Sequence, residues 1–286
     1  MGIDLHAHTT ASDGSLSPRE LVELAAKRGL SAVAVTDHDT IAGWDEAFAA
    51  GREFGVEVVP GIELSTSYPG GRFHLLGYYV APDSELIAEL SAIQEARRDR
   101  NALILGNLRR LGVPLEEAEV RAYASDGGQL GRPHFARAMV ARGYVASVQE
   151  AFDRFLADDG PAYASKQVLT PEEAVRLIRE AGGVSVWAHP PRAVSARHPV
   201  TLTQLKDVLE RDWLRYGLNG IEVWYSGYSP EEHAWAARLA REHGLLAAGG
   251  SDFHGASKPT VELGVTNTGG ALADEVLDQL KGLRGK

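Results

Sequence analysis

The chain contains no cysteine, and this absence limits both its covalent chemistry and its metal chemistry. Without cysteine it can form neither disulfides nor the thiolate zinc sites of small zinc-binding modules. Any metal ion would therefore be held by nitrogen and oxygen ligands, which histidine, aspartate and glutamate supply. Because disulfides belong to oxidising compartments, we expect a cytoplasmic location.

Long hydrophobic runs and an excess of basic residues are also missing. No stretch approaches the length that spans a bilayer, and the N-terminus lacks a basic segment followed by an apolar one, so we expect no membrane association and no secretory signal. Lys and Arg number 29 against 39 Asp and Glu, which gives a net charge of -10. This balance argues against binding of long nucleic acid, although a local arginine pocket for phosphate is compatible with it. No feature indicates a protein partner.

Alternating sequence patterns predict the fold class. Among the 286 residues, short apolar runs alternate with helical patterns, which predicts an α/β fold with a mainly parallel sheet. Three predicted helices begin with an N-cap hydroxyl, a proline and a glutamate three residues after the cap, at Ser17, Thr170 and Ser229. The predicted strands cover 2–6, 32–36, 56–60, 62–67, 73–80, 184–188, 220–224 and 246–250.

The segment 95–165 departs from this alternation. It carries a long charged helical pattern and further helical segments but no convincing strand. We therefore predict two domains: a metal-binding barrel formed by 1–94 and 166–286, and a helical insertion formed by 95–165. Elements of this kind commonly shape substrate access, so we expect the insertion to lie over the active site.

Histidines and carboxylates stand where the apolar runs end. His6 and His8 are two residues apart, so an extended strand would point both imidazoles the same way. In a parallel α/β barrel the carboxyl ends of the strands meet on one face, where such side chains converge. His74, near the start of its run, is the exception. The candidate metal ligands are His6, His8, Asp13, His38, Glu63, His74, His189, Asp252 and His254.

These ligands are too many for one ion, because tetrahedral or octahedral centres take about four to six ligands each. We predict two or three divalent ions that share a carboxylate. The mixture of imidazole and carboxylate suits manganese, with iron or zinc as alternatives, better than magnesium. Two ions that share a water lower its pKa and create a bridging hydroxide, which predicts a hydrolase that needs no side-chain nucleophile.

At these positions the chain resembles the PHP (polymerase and histidinol phosphatase) family of metal-dependent phosphoesterases. The matching segments follow the family's order along nearly the whole chain and are His6–Gly14, Thr36–Thr40, Pro60–Glu63, His74, Ala188–Pro190 and Gly250–His254. The resemblance implies a distorted seven-stranded (β/α) barrel with a trinuclear metal centre.

The resemblance also implies how the ligands are shared among three ions. The first set is His6, His8, Glu63 and Asp252. The second set is Glu63, His74 and His189, so that Glu63 bridges two ions. The third set is Asp13, His38 and His254. We place Asp252, Glu63 and His189 among the catalytic residues.

Within the family, the insertion and the segment Gly131–Arg137 resemble the branch that removes the 3′-phosphate from 3′,5′-bisphosphonucleotides and trims short oligonucleotides from the 5′ end. We predict that Arg132, His134 and Arg192 bind the non-reacting phosphate, since a guanidinium fork binds two oxygens at once. Pro191 stands where the family pattern has glycine, and it stiffens the turn that carries Arg192.

The predicted function is hydrolysis of phosphate monoesters on small nucleotides, with 5′-to-3′ exonuclease activity on short oligonucleotides. The alternatives are a histidinol phosphate phosphatase, which shares fold and metals, and an amidohydrolase, which usually bridges its metals with a modified lysine. Glu63 occupies the bridging position in this chain. A non-catalytic metal-binding subunit is a third alternative, although such domains lose ligands and this chain keeps all nine.

Overall fold

The computed structural model describes residues 2–68, 71–124, 130–157, 160–164, 168–193 and 200–285. Contacts divide the chain into two compact units. The first comprises Met1–Glu89 and Val168–Lys286, and the second comprises Leu90–Gln167. Among the described residues, no helix is both long and apolar enough to cross a membrane.

The first unit is built on one sheet of eight strands. They are β1 (Gly2–Asp4), β2 (Leu30–Val35), β3 (Glu57–Tyr68), β4 (Gly71–Tyr78), β5 (Val184–Ala188), β6 (Gly220–Tyr225), β7 (Leu246–Gly250) and β8 (Leu272–Ala273). Their spatial order is β7-β6-β5-β4-β3-β2-β1-β8. The strands β1, β2 and β3 pair in parallel in that order, and so do β5, β6 and β7. Between these two groups, β4 runs antiparallel to both of its neighbours.

The two edges of this sheet approach each other and nearly close a barrel. The backbone N–H of Asp252, just after β7, donates to the carbonyl of His6 at 2.8 Å, and the N–H of His8 donates to the carbonyl of Phe253 at 2.9 Å. The two-residue strand β8 pairs with the start of β1. The predicted α/β class and the distorted seven-stranded barrel are confirmed, with β8 as a short addition.

One strand differs from the prediction, because 56–60 and 62–67 belong to the single strand β3. Up to Pro60, β3 pairs in parallel with β2, and from Gly61 onward it pairs antiparallel with β4. Proline, which has no N–H to donate, stands where the strand changes partner, while its carbonyl accepts the N–H of Tyr79 at 2.8 Å. The pair Pro60-Gly61 therefore marks a change of partner and not the end of a strand.

Helices connect the strands, and their predicted starting signals are confirmed. Ser17, Thr170 and Ser229 each cap a helix and form a capping box with the glutamate three residues later. The helices of this unit are α1 (Pro18–Lys27), α2 (Trp44–Phe54), α7 (Pro171–Glu180), α8 (Leu202–Val208), α9 (Leu214–Tyr216), α10 (Pro230–His243) and α11 (Asp274–Gly282). A π-helical turn, Leu209–Trp213, joins α8 to α9.

In the second unit, the described residues form helices and no strand. The long helix α3 (Glu85–Arg110) leads into it, and α4 (Glu117–Arg121), α5 (Arg132–Ala141) and α6 (Val148–Ala151) follow, with a π-helical turn at Phe152–Leu156. They enclose a core of their own, which includes Ile104, Leu108, Phe135, Met139 and Leu156. The placement of these helices over the active site stays a prediction.

Candidate metal centre

The predicted metal ligands all belong to the first unit, where β1 to β5 and β7 each supply at least one. In chain order they are His6, His8 and Asp13 after β1, His38 after β2, Glu63 within β3, His74 within β4, His189 after β5, and Asp252 and His254 after β7. Because the carboxyl ends of parallel strands meet at one face of a barrel, the ligands that follow β1, β2, β5 and β7 converge there.

His74 joins this face because of the direction of its strand. In β4, His74 pairs with Ser65 of β3 and with Ala188, the last residue of β5. Since β4 is antiparallel to both neighbours, its first residues lie beside the last residues of theirs. A histidine near the start of a strand thus reaches the edge that the other histidines reach from strand ends.

Glu63 is the residue on which the centre converges, and its side chain is only 1% exposed. One carboxylate oxygen, Oε1, lies 2.9 Å from His74 Nδ1 and 2.9 Å from His189 Nε2. The other oxygen, Oε2, lies 3.1–3.3 Å from ring nitrogens of three further histidines, His6, His8 and His38. A carboxylate with five imidazoles around its two oxygens has the geometry of a bridging ligand.

Two aspartates extend the centre on other sides. Asp13, with a side chain 55% exposed, places Oδ1 3.2 Å from His254 Nε2 and Oδ2 3.8 Å from His38 Nε2. Asp252 is buried, and its Oδ1 lies 3.3 Å from His8 Nε2 and 3.4 Å from His254 Nδ1. The side chain of Asp252 is therefore covered by protein, whereas solvent reaches that of Asp13.

Several buried atoms of the cluster have no hydrogen-bond partner among the residues that the structure describes. They are His6 Nε2, His8 Nε2, His38 Nδ1, Glu63 Oε2 and His74 Nδ1. A buried polar atom without a partner costs about 1–3 kcal/mol, so five together need an explanation. Divalent cations provide one, because each accepts several imidazole and carboxylate lone pairs at once. The residues present therefore fit a metal centre held by nitrogen and oxygen.

Among the described residues, three groups could each hold an ion, because within each group the ligand atoms lie within 4.8 Å of one another. The groups are His6, His8, Glu63 and Asp252; His38, Glu63 and His74; and His8, Asp13, His38 and His254. The first coincides with the first predicted set. His38, predicted only for the third set, belongs to both of the other groups. His8, predicted only for the first set, belongs to the third group as well. His189 adjoins the second group through its contact with Glu63 Oε1.

Charge coupling within the cluster shifts its protonation in the absence of metal. Burial would raise the pKa of Glu63, but the imidazoles of His38, His74 and His6 hold it well below its usual range. Burial would likewise lower the pKa of His8, but Asp252 and Glu63 raise it to about 9. These carboxylates are therefore ionised, and the imidazole of His8 carries a proton that a metal ion would displace.

Two relatives named for phosphoester hydrolysis match this chain almost from end to end. A 3′,5′-nucleoside bisphosphate phosphatase of Chromobacterium violaceum is 35% identical over 273 residues, which are 92% of this chain and 91% of the relative. A 5′-3′ exoribonuclease of Escherichia coli is 36% identical over 91% of this chain and 87% of its own length. The PHP domain model matches residues 4–108. The chain is a PHP-family phosphoesterase.

Solved structures agree with this PHP assignment. A chain from Bifidobacterium adolescentis described as a metal-dependent phosphoesterase has a TM-score of 0.79 and 32% identity, and the match covers 99% of this chain and 96% of that one. A protein from Chromobacterium violaceum, described as an amidohydrolase with bound sulfate and no metal, also has a TM-score of 0.79 and 32% identity, over 100% and 99% of the two chains. The function as a metal-dependent hydrolase of phosphoesters is confirmed.

Glu222 of β6 contacts two histidines of the metal centre but was not predicted from the sequence. It is fully buried; its Oε1 accepts a hydrogen bond from His6 Nδ1 at 2.9 Å, and its Oε2 accepts one from the backbone N–H of His189 at 2.7 Å. A proton on Nδ1 directs Nε2 of His6 towards Glu63 and Asp252. The available signal was a lone carboxylate inside an otherwise apolar strand.

The residues predicted to bind phosphate lie in both units. Arg192 pairs with both oxygens of Glu232, at 2.5 and 2.9 Å. In the second unit, Arg132 donates to the carbonyl of Leu156 at 2.8 Å, and His134 Nδ1 accepts the N–H of Gly131 at 2.9 Å and so caps α5. The roles of Arg132, His134 and Arg192 in phosphate binding stay predictions.

Proposed function

We propose that this PHP phosphoesterase removes the 3′-phosphate from 3′,5′-bisphosphonucleotides and trims short oligonucleotides from the 5′ end. The cluster centred on Glu63 supports phosphoester hydrolysis, and the relatives named bisphosphate phosphatase and exoribonuclease support the nucleotide. Both substrates carry a phosphate beside the ester that is cleaved. One site with a pocket for that second phosphate could therefore accept either.

We propose that two or three divalent ions, preferably manganese, occupy the three ligand groups. When bound, such ions lower the pKa of water and neutralise charge on phosphoryl oxygens during in-line displacement. Glu63 would bridge ions through its two oxygens, while the buried imidazoles of His6 and His8 hold their Nε2 atoms towards the same region. Asp252 lies beside His6, and His189 contacts Glu63, so both would face the same ions.

The half-exposed Asp13 and the partly exposed His38 and His74 form the side of the centre that solvent reaches. Water and a small phosphoester would approach from this side, whereas His6 and Glu222 are fully buried behind it. We therefore assign substrate contact to the exposed residues around the centre and ligand orientation to the buried ones.

Phosphate release tests the proposed function directly. Protein supplied with manganese should release phosphate from adenosine 3′,5′-bisphosphate, leave the 5′-monophosphate, and act far more slowly on histidinol phosphate. Asp252→Asn should abolish release, whereas Asp278→Asn, on the exposed face of α11, should not change it. Preference for histidinol phosphate would replace the nucleotide with the alternative substrate. Failure to release phosphate from either compound, with metal bound, would overturn the proposal.

Arg132→Ala tests the pocket for the second phosphate. A guanidinium that binds the non-reacting phosphate lowers KM only for substrates that carry one. The substitution should therefore raise KM for a bisphosphate by about 10-fold or more and leave KM for a monophosphate nearly unchanged. Equal effects on both substrates would remove Arg132 from this role. Arg142→Ala, which removes an exposed ion pair with Glu119, is the control in the same unit.

A further inference from the structure

Asp252 uses its two carboxylate oxygens for different purposes. Its Oδ1 faces imidazole nitrogens of the metal centre, 3.3 Å from His8 and 3.5 Å from His6. Its Oδ2 accepts hydrogen bonds from Lys258 Nζ at 2.6 Å and from the hydroxyl of Tyr225 at 2.9 Å. The ammonium of Lys258 is thus one carboxylate away from the metal ligands.

The backbone around Asp252 holds this arrangement in place. Asp252 has a φ of +59°, which is uncommon for a residue with a side chain, and its N–H is bonded to the carbonyl of His6. Backbone strain of this kind persists only where the surroundings determine it strongly. The carboxylate therefore has a fixed direction, and so does the cation bound to it.

The turn that carries Lys258 is attached to the loop after β1. Ser15 Oγ accepts the N–H of Ala256 at 2.7 Å, and the N–H of Ser15 donates to the carbonyl of His254 at 3.0 Å. Gly255 has a φ of +62°, and a Cβ there would meet Ser15 Oγ, so a larger residue would separate the two segments. Lys258 is therefore presented by a turn that is anchored beside the metal ligands.

Lys258 differs from Asp252 in exposure, and this difference indicates a role towards solvent. Its side chain is 40% exposed, whereas that of Asp252 is 4% exposed. An ammonium has three donors, and among the described residues Asp252 Oδ2 is the partner of one of them. The remaining N–H groups can bond to a ligand without breaking the contact with Asp252.

We propose that Lys258 donates a hydrogen bond to an oxygen of the phosphoryl group that is hydrolysed. This inference rests on the proposed function, which brings a phosphoester to the ions held beside Asp252. The carboxylates of Asp13, Glu63 and Asp252 repel a phosphate dianion, and the ions together with a fixed ammonium offset that repulsion. Lys258 is thus a catalytic residue for phosphoryl transfer. Tyr225, whose hydroxyl donates to Asp252 and whose ring lies 5.3 Å from that of His189, is a positioning residue.

Inorganic phosphate is the probe for this proposal, because it contains the phosphoryl group without any nucleotide. Its Kd is measured by calorimetry on protein saturated with manganese. Lys258→Met should raise that Kd about 10- to 100-fold, the loss typical of one hydrogen bond to a charged group. Lys258→Arg, which keeps a cationic donor, should recover most of the affinity.

Two variants separate phosphate contact from positioning of Asp252. Lys281→Met is the matched control. Lys281 is similarly exposed, at 37%, and its Nζ lies 2.8 Å from the carboxylate of Glu57, which is not a candidate metal ligand. Tyr225→Phe removes the other donor to Asp252 Oδ2 without removing a charge. Manganese affinity is measured for every variant, and thermal unfolding confirms that each is folded.

The outcomes distinguish the alternatives. Loss of phosphate affinity in Lys258→Met, with manganese affinity within about threefold of wild type, supports the proposal. Loss of manganese affinity, with phosphate binding recovered at saturating manganese, would mean that Lys258 only positions Asp252, and this overturns it. Unchanged phosphate affinity also overturns it. The phosphate titration needs no nucleotide, so failure of the protein to hydrolyse a bisphosphate would overturn the proposed function separately.

Discussion

At the scale of single residues, Glu222 shows how a carboxylate outside the ligand set controls two ligands. Each of its oxygens accepts one N–H, from the His6 ring and from the His189 backbone. His189 has a φ of +27°, so its backbone conformation depends on such a contact. A glutamine would offer a single acceptor oxygen and would turn an NH₂ group towards one of the two donors.

Glu222→Gln should therefore weaken metal binding more than its small change in shape suggests. Loss of a carboxylate that orients a metal-binding histidine typically costs about 10- to 100-fold in metal affinity, and we expect a value in this range. Competition with a fluorescent chelator measures the affinity. Glu231→Gln, an exposed position at the start of α10, is the control. A manganese affinity equal to wild type would show that Glu222 does not orient His6.

Protonation of His8 makes metal binding depend on pH. Its pKa is raised to about 9, because Asp252 and Glu63 outweigh the lowering effect of burial. Below this pKa the imidazole is protonated, so a metal ion must displace a proton, and affinity should increase as pH rises from 7 towards 9. The increase should reach about tenfold per pH unit for each proton released.

Calorimetry in buffers with different enthalpies of ionisation counts the released protons. At pH 7 the expected result is the release of at least one proton per protein molecule, with fewer protons released above pH 9. Metal affinity that is constant between pH 7 and pH 9 would contradict the raised pKa of His8.

At the scale of secondary structure elements, local signals were sufficient for helix starts but not for strand partners. Thr170 caps α7 through a bond that its side chain accepts from the N–H of Glu173, which follows from residues three apart in sequence. The direction of β4 does not follow from its own residues, because antiparallel and parallel strands share the same apolar pattern. His74 therefore looked exceptional in sequence and takes its place in the centre only through strand pairing.

Thr170→Ala should lower the free energy of unfolding by about 1 kcal/mol, the usual effect of losing an N-cap side chain. The substitution removes both the hydroxyl that accepts the N–H of Glu173 and its donated bond to the Glu173 carboxylate. Chemical denaturation measures the difference. Thr260→Ala, at an exposed turn position, is the control, and an equal effect of both substitutions would contradict the capping role.

At the scale of the whole molecule, the metal centre joins strands that are distant in sequence. The candidate ligands come from six strands or the loops after them, so ions bound there would stabilise the folded first unit against its unfolded chain. This stabilisation amounts to about 4 kcal/mol when free metal exceeds Kd a thousandfold.

Removal of metal should therefore lower the free energy of unfolding and accelerate hydrogen exchange in the strands of the first unit. Denaturation with manganese, and again after treatment with a chelator, measures the difference. Asp252→Asn should reduce it. Equal stability of the metal-loaded and metal-free protein would contradict a centre built from these ligands.

The sequence by itself determined the donor chemistry, the alternation of strands and helices, and the helix caps. These features depend on composition or on residues a few positions apart, where bonding follows from local geometry. Only the tertiary structure decided that β3 changes partner at Pro60, that β4 brings His74 to the cluster, and that Glu222 and Lys258 contact His6 and Asp252. These contacts join segments from different strands and loops, and they form only when the sheet curves until its edges meet.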